Sequence, residues 1–313
     1  MTRTFEALPG ITVIDTQMGG SPGLTSAYLV RGSEPALIET GPTNSLPAVE
    51  AGLAELGIGP RDLAHIVVTH VHLDHAGGAG AYSQRFPKAT VWAHERGVRH
   101  LVEPAKLQAS ATRVFGEEHM RRVFGPLEPL PGDRVKAASD GQVVSLGDRT
   151  LRILHAPGHA KHHAFIVDEE TGAVFSGDGL GVHLPDLDVF RPATPPADFD
   201  LEAAIRNIGR VRDLDPPKVL FSHFGPAENV REVCDLAIER TRKWASIVEE
   251  AMRTTEDVDA VAQILADRTA DELATVRDQD SEARRRLDLL TTYRVNAAGL
   301  LRYFAKRREE ASS

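Results

Sequence analysis

The stretch Thr69-His70-Val71-His72-Leu73-Asp74-His75 sets three imidazoles and a carboxylate within six residues, directly after the apolar run Ile66-Val67-Val68. A chain that ends a strand-like run on such a cluster has to fold so that these side chains share a partner. Neutral imidazole and carboxylate are ligands for Zn2+, Fe and Mn, and no thiolate stands among them, which excludes a closed cysteine-type structural zinc site and favours an open, catalytic one. His70 and His72 lie two apart, on one side of an extended segment, while Asp74 and His75 follow where the chain turns into a helix. Two metals side by side would suit this spacing. A histidine-rich solvated loop is the plain alternative; the strand-like run before the cluster and Gly77-Gly78 after it argue against that.

Four ligands seldom complete a binuclear site, so the chain has to supply more from elsewhere. Three later positions each follow an apolar run: His159 in Ala156-Pro157-Gly158-His159, Asp178 in Phe175-Ser176-Gly177-Asp178, and His223 in Val219-Leu220-Phe221-Ser222-His223. Gly or Pro beside His159 and Asp178 lets backbone crowd a site. A lone His or Asp at a strand end is ordinarily a cap or loop residue. Three of them in this order, after that cluster, are better explained as one constellation.

With these residues in place the chain resembles the metallo-β-lactamase superfamily of metal-dependent hydrolases, of which glyoxalase II-like enzymes are one branch. The family signature is HxHxDH, then a lone His, a lone Asp and a last lone His, matched by His70, His72, Asp74, His75, His159, Asp178 and His223. The match spreads over residues 10–230. The resemblance implies that His70, His72 and His159 hold one metal, that Asp74, His75 and His223 hold the second, and that Asp178 bridges the two. It also implies an α+β fold, the αββα sandwich with ligands gathered at one edge of two packed sheets. The family usually has Asp before the Thr-Gly that ends an early strand, whereas this chain reads Leu37-Ile38-Glu39-Thr40-Gly41. Glu39 is expected to orient a ligating histidine through its other ring nitrogen. His163 matches a frequent supporting histidine; His162 has no such match and is assigned by default to the surface.

The 313 residues suit one substantial domain and an appendage. Residues 1–230 are read as the catalytic domain and 231–313 as a helical C-terminal domain, which docks on the core or pairs subunits in a homodimer. The net charge of −9, with no Lys/Arg stripe through the ligand region, makes nucleic acid a poor partner. The single cysteine, Cys234, rules out an intrachain disulfide and suits a reducing compartment. Neither a signal peptide nor a membrane-length apolar run is legible, so the cytoplasm is the expected location and no membrane partner is expected.

Periodicity places strands at 11–16, 27–31, 36–39, 66–69, 90–93, 143–146, 151–154, 164–168, 173–176 and 219–222. Capped helices are expected at 45–56 and after Asp200, a helical segment at 97–133, and a loop around Val189 to Pro196. Two divalent ions, zinc first with Fe or Mn as alternatives, would activate water at such a site without a Ser or Cys nucleophile. The expected function is hydrolysis of a small carboxylic ester, thioester or lactone, with Asp74 and Asp178 orienting the nucleophile. A glutathione-thioester hydrolase would want a cationic subsite, for which Lys161 and Arg191 are the candidates. Three rival readings are a mononuclear iron dioxygenase acting on a thiol-derived substrate, a diiron oxygen or nitric-oxide enzyme, and a non-catalytic metal-binding protein. The complete ligand set argues against the first and the last, and His72, where the diiron pattern has Glu, with the short helical tail in place of a flavin domain, against the second.

Overall fold

A computed structural model of the protein describes residues 4–276, 280–290 and 292–312. The chain divides into two compact units. One comprises Met1–His155, His162–Gly177 and Pro217–Pro226; the other comprises Ala156–Lys161, Asp178–Pro216 and Ala227–Ser313.

The first unit is built on two sheets. Seven strands run in sequence order: β1 (Thr4–Leu8), β2 (Ile11–Asp15), β3 (Ser26–Val30), β4 (Ala36–Ile38), β5 (His65–Val67), β6 (Thr90–His94) and β7 (Val135–Ala138). The first four pair antiparallel, whereas β4 to β7 are parallel. The second sheet uses β8 (Gln142–Ser145), β9 (Thr150–His155), β10 (Ala164–Asp168) and β11 (Val174–Gly177), then β14 (Val219–Phe221) and β15 (Gly225–Ala227). Between them in sequence, β12 (Val182–Leu184) and β13 (Val189–Arg191) form a ribbon of their own.

Residues of β2 and β3 are buried on both faces, which explains their near-continuous apolar runs. One face receives Val49 and Leu53 of the helix Leu46–Glu55 together with Tyr82 and Phe86, packed on Leu29, Leu37, Ile66 and Val91. The other face meets the second sheet, where Tyr28 stands edge-on to Phe175 at 5.2 Å and its hydroxyl donates to the Phe221 carbonyl. The two-layer core therefore fixes the ends of β4, β5, β11 and β14 at one edge.

Each of the ten expected strands is present within one or two residues. Strands β1 and β7 escaped the reading because they lie at the ends of the first sheet and are only partly buried, so neither is strongly apolar. Val189–Arg191 is a strand rather than loop, because pairing with β12 supplies hydrogen-bond partners that a local reading does not see. Ser45 does stand before the helix at 46–55, but in helical conformation and with no capping bond; its buried hydroxyl has no partner among the described residues. Asp200 caps as expected, accepting from the Ala203 amide at 2.9 Å.

In the second unit, helices Val230–Ala251, Val258–Arg268 and Tyr293–Ser312 pack around Trp244, Val248, Val261, Leu265 and Leu300. Phe199 and Ala204, from before residue 230, belong to the same core. Cys234 is fully buried in the first of these helices, and burial pushes its thiol up to about 12.

Candidate metal centre

The first unit gathers five of the seven expected ligands. Strand β5 carries the chain inward to His70 and His72, and the one-turn helix Leu73–Ala76 then presents Asp74 and His75. The end of β4 clamps that turn, because the amides of Thr40 and Gly41 both donate to the His75 carbonyl, at 2.8 and 3.1 Å. His223 arrives just after β14. Three ligand atoms from Asp74, His75 and His223 lie within 4.8 Å of one another, as do three from Glu39, His70 and His75.

Hydrogen bonds around the imidazoles determine which nitrogen faces inward. His75 Nδ1 donates to Glu39 Oε1 at 3.1 Å, and His223 Nδ1 donates to the Leu24 carbonyl at 3.0 Å. A neutral ring that carries its proton on Nδ1, and donates it in a hydrogen bond there, keeps a lone pair on Nε2. Those two Nε2 atoms face each other at 3.2 Å, and Asp74 Oδ2 lies 3.4 Å from one and 3.7 Å from the other. Two lone pairs and a carboxylate at that range repel unless a proton or a cation lies among them. The donor set therefore fits a metal ion. His70 follows the same logic, with Nδ1 3.0 Å from the Thr69 hydroxyl, which itself donates to Glu39, and with Nε2 3.0 Å from His72 Nδ1.

Glu39 organises this arrangement. It is almost fully buried, at a backbone φ of 65° that non-glycine residues rarely adopt, and it accepts from the Thr69 amide and hydroxyl, His75 Nδ1 and the Ser222 hydroxyl. One carboxylate thus links the His70 arm, His75 and the strand that leads to His223. That is the orienting role expected of it, and the longer side chain reaches all four donors. Ser222, Thr69 and the Leu24 carbonyl were not legible in advance, because a hydroxyl or carbonyl at a strand end carries no distinctive sequence signal.

His163 is fully buried with its ring 5.1 Å from that of His70. Space for it depends on Gly177, at φ 49°, where a Cβ would come within 2.7 Å of His163 Nε2 and 2.6 Å of Thr69 Oγ1. His162 is not a surface residue. It is half-buried, stacked over His70 at 6.2 Å and edge-on to His72 at 5.5 Å.

The second unit holds His159 and Asp178. His159 Nδ1 donates to the Ala193 carbonyl at 3.0 Å, leaving Nε2 3.5 Å from Asp178 Oδ2, with both side chains nearly buried. The turn that carries His159 is tied to the helix Leu201–Leu214, as the Asp200 amide donates to the Gly158 carbonyl and a Cβ at Gly158 would meet Ala204 backbone at 2.5 Å. Of the two expected cations only Lys161 is exposed to solvent. Lys161 pairs with Asp198 at 3.0 Å, and Arg191 is buried with its guanidinium 4.1 Å from the Tyr293 ring centre and 5.5 Å from that of Trp244.

The metallo-beta-lactamase superfamily profile matches residues 20–223, and the chain belongs to that family. Among its relatives, a metallo-beta-lactamase fold-containing protein of Sulfurisphaera tokodaii, ST1585, is 29% identical over 65% of this chain and 74% of its own length. The acyl-coenzyme A thioesterase MBLAC2 of Gallus gallus is 34% identical over 54% of this chain, and an N-acyl homoserine lactonase of Bacillus cereus is 26% identical over 55%. These alignments span 62% and 60% of those two proteins. In fold, the crystal structure of ST1585 superposes with a TM-score of 0.69 at 24% identity, covering 93% of this chain and 98% of that one.

Proposed function

We propose that this protein is a metal-dependent hydrolase that cleaves a small carboxylic ester, thioester or lactone with two divalent ions bound. The observation that carries the reading is the pair of Nε2 lone pairs of His75 and His223 converging at 3.2 Å beside Asp74, each fixed by a hydrogen bond at the ring's other nitrogen. His70, His72 and His159 would hold one ion and Asp74, His75 and His223 the other, with Asp178 shared. When bound, zinc or a similar ion lowers the pKa of water toward neutrality and draws electron density from a carbonyl oxygen.

The chain's own residues supply orientation and a place for the proton. Water adds to the carbonyl carbon, the C–S or C–O bond breaks, and the proton lost by the water is returned to the leaving thiolate or alkoxide. Asp74 is suited to hold that proton in between, because Oδ2 faces the two histidines while its side chain stays one-quarter exposed. Glu39, fully enclosed by its donors, is not. A covalent route through cysteine has no support, since the buried Cys234 thiol, pushed up to about 12, supplies no thiolate near neutral pH.

The choice of bond leans on the relatives, one named a thioesterase and one a lactonase. We infer a small-molecule substrate. Elemental analysis of the purified protein, followed by thioester and lactone screens, tests the reading. Near two equivalents of zinc with hydrolysis of either class supports it. One equivalent of iron with oxygen uptake would put the dioxygenase in its place, and a protein that takes up no metal would leave neither standing.

A further inference from the structure

We propose that His162 is a positioning residue for the His70–His72 arm: its Nδ1 holds the Val71 amide, and so sets the backbone between the two histidines. The inference rests on the reading of His70 and His72 as metal ligands and adds a residue to it.

Val71 lies outside any strand or helix, between two side chains that must converge. Its side chain is buried, and its N–H has no main-chain acceptor among the described residues. His162 Nδ1 lies 3.5 Å from that nitrogen. Leaving a buried amide without a partner is unfavourable, so even a long hydrogen bond there holds the loop in one place. For Nδ1 to accept, the ring must carry its proton on Nε2.

The surroundings give the ring little freedom. It lies nearly parallel to His70, at 14°, and almost perpendicular to His72, at 88°, with His100 at 6.2 Å on a further side. Gly97 closes the wall behind: a Cβ there would meet Val71 Cγ1 at 2.7 Å and His162 Cβ at 3.7 Å. One side chain thus contacts both ligand rings and the amide between them. Groups of this kind, one step removed from the metal, typically tune affinity ten- to a hundredfold.

Two substitutions separate the hydrogen bond from the ring. His162→Asn places an acceptor oxygen where Nδ1 stands and removes the ring; His162→Phe keeps a ring and removes the acceptor. The full-length chain is titrated with Zn2+ against a chromophoric chelator, and the visible spectrum of the Co2+-loaded protein reports the ligand field independently of turnover. Thermal melts of the metal-free proteins verify folding. His162→Leu replaces the Phe variant should that one melt early.

The expected result is Zn2+ affinity weakened about tenfold or more, with a shifted Co2+ spectrum, in the Phe or Leu variant, and values close to wild type in the Asn variant. Wild-type affinity and spectrum in the acceptor-free variant would overturn the inference while leaving the metal reading intact. So would equal losses in both variants, or loss in Asn alone, since each makes the ring rather than the acceptor the feature that matters. A wild-type protein that binds neither ion would overturn the metal reading, and this inference with it.

Discussion

Two buried glutamates, one in each unit, sit in opposite electrostatic circumstances. Glu39 accepts from hydroxyls, an amide and an imidazole, so its neighbours satisfy its hydrogen bonds without cancelling its charge. Glu272 accepts from Trp244 Nε1 at 2.9 Å and pairs with Arg240 at 2.8 Å and Lys243 at 2.9 Å. Its charge is matched from within the chain, and its buried cluster is finished. The cluster around Glu39 ends in converging lone pairs and calls for a cation from outside. Burial of a carboxylate is therefore no mark of function by itself; what marks the site is the sign of the charge left over after the local donors have been counted.

The most severe test removes a ligand. His72→Ala and Asp178→Ala are each expected to abolish hydrolysis in a protein that still folds, as measured by turnover beside a thermal melt; full activity in either would break the proposed two-ion site. Next in size, Glu272→Ala leaves the Trp244 indole and two cations without their acceptor. It is expected to cost about 3 kcal/mol in denaturant unfolding, near the lower end for a broken buried pair because Arg240 and Lys243 are partly exposed. Metal affinity should stay as it was. An equal loss of metal would mean that the two clusters are not independent.

Glu39→Gln reverses that pattern. The amide keeps an acceptor but loses the charge, so Zn2+ affinity is expected to drop ten- to a hundredfold, read by chelator competition, with stability changed by only about 1 kcal/mol. If unfolding suffers more than metal binding, Glu39 is a structural residue like Glu272 and the contrast fails.

The smallest expected effect concerns pH. His94 and His155 stack at 3.7 Å, and burial, with His155 and Arg96 adding to it, lowers the His94 pKa to about 4. An unfolded histidine titrates near 6.5, so between these values the unfolded chain binds the extra proton. The contribution is complete above about pH 6.5 and is lost as pH falls toward 4. His94→Gln should flatten the stability profile across that window, by on the order of 2 kcal/mol. An unchanged slope would assign the acid sensitivity to other groups.

The candidate site was legible to the extent that its chemistry is concentrated in rare residue types. Three histidines and an aspartate in six residues, followed by His159, Asp178 and His223 after apolar runs, stand out because imidazole is scarce and strand ends are where side chains leave a core. Ser222, Thr69 and the Leu24 carbonyl could not be read the same way, since they matter only through what folding brings beside them. His162 was misread for a related reason. Sequence places it next to His163, but its wall is completed by Val71, Gly97 and His100, all more than sixty residues earlier.

The amino-acid sequence by itself determined most of the central strands, the family and the residue types of the candidate centre, because periodicity and ligand chemistry are local properties. Only tertiary structure decided which ring nitrogen of His75 and His223 faces inward, that Glu39 serves four donors at once, and that Arg191 is buried against aromatic rings. Those outcomes depend on distances between segments far apart in the chain. Hydrogen-bond direction and charge balance are set by such distances, and no spacing along the sequence encodes them.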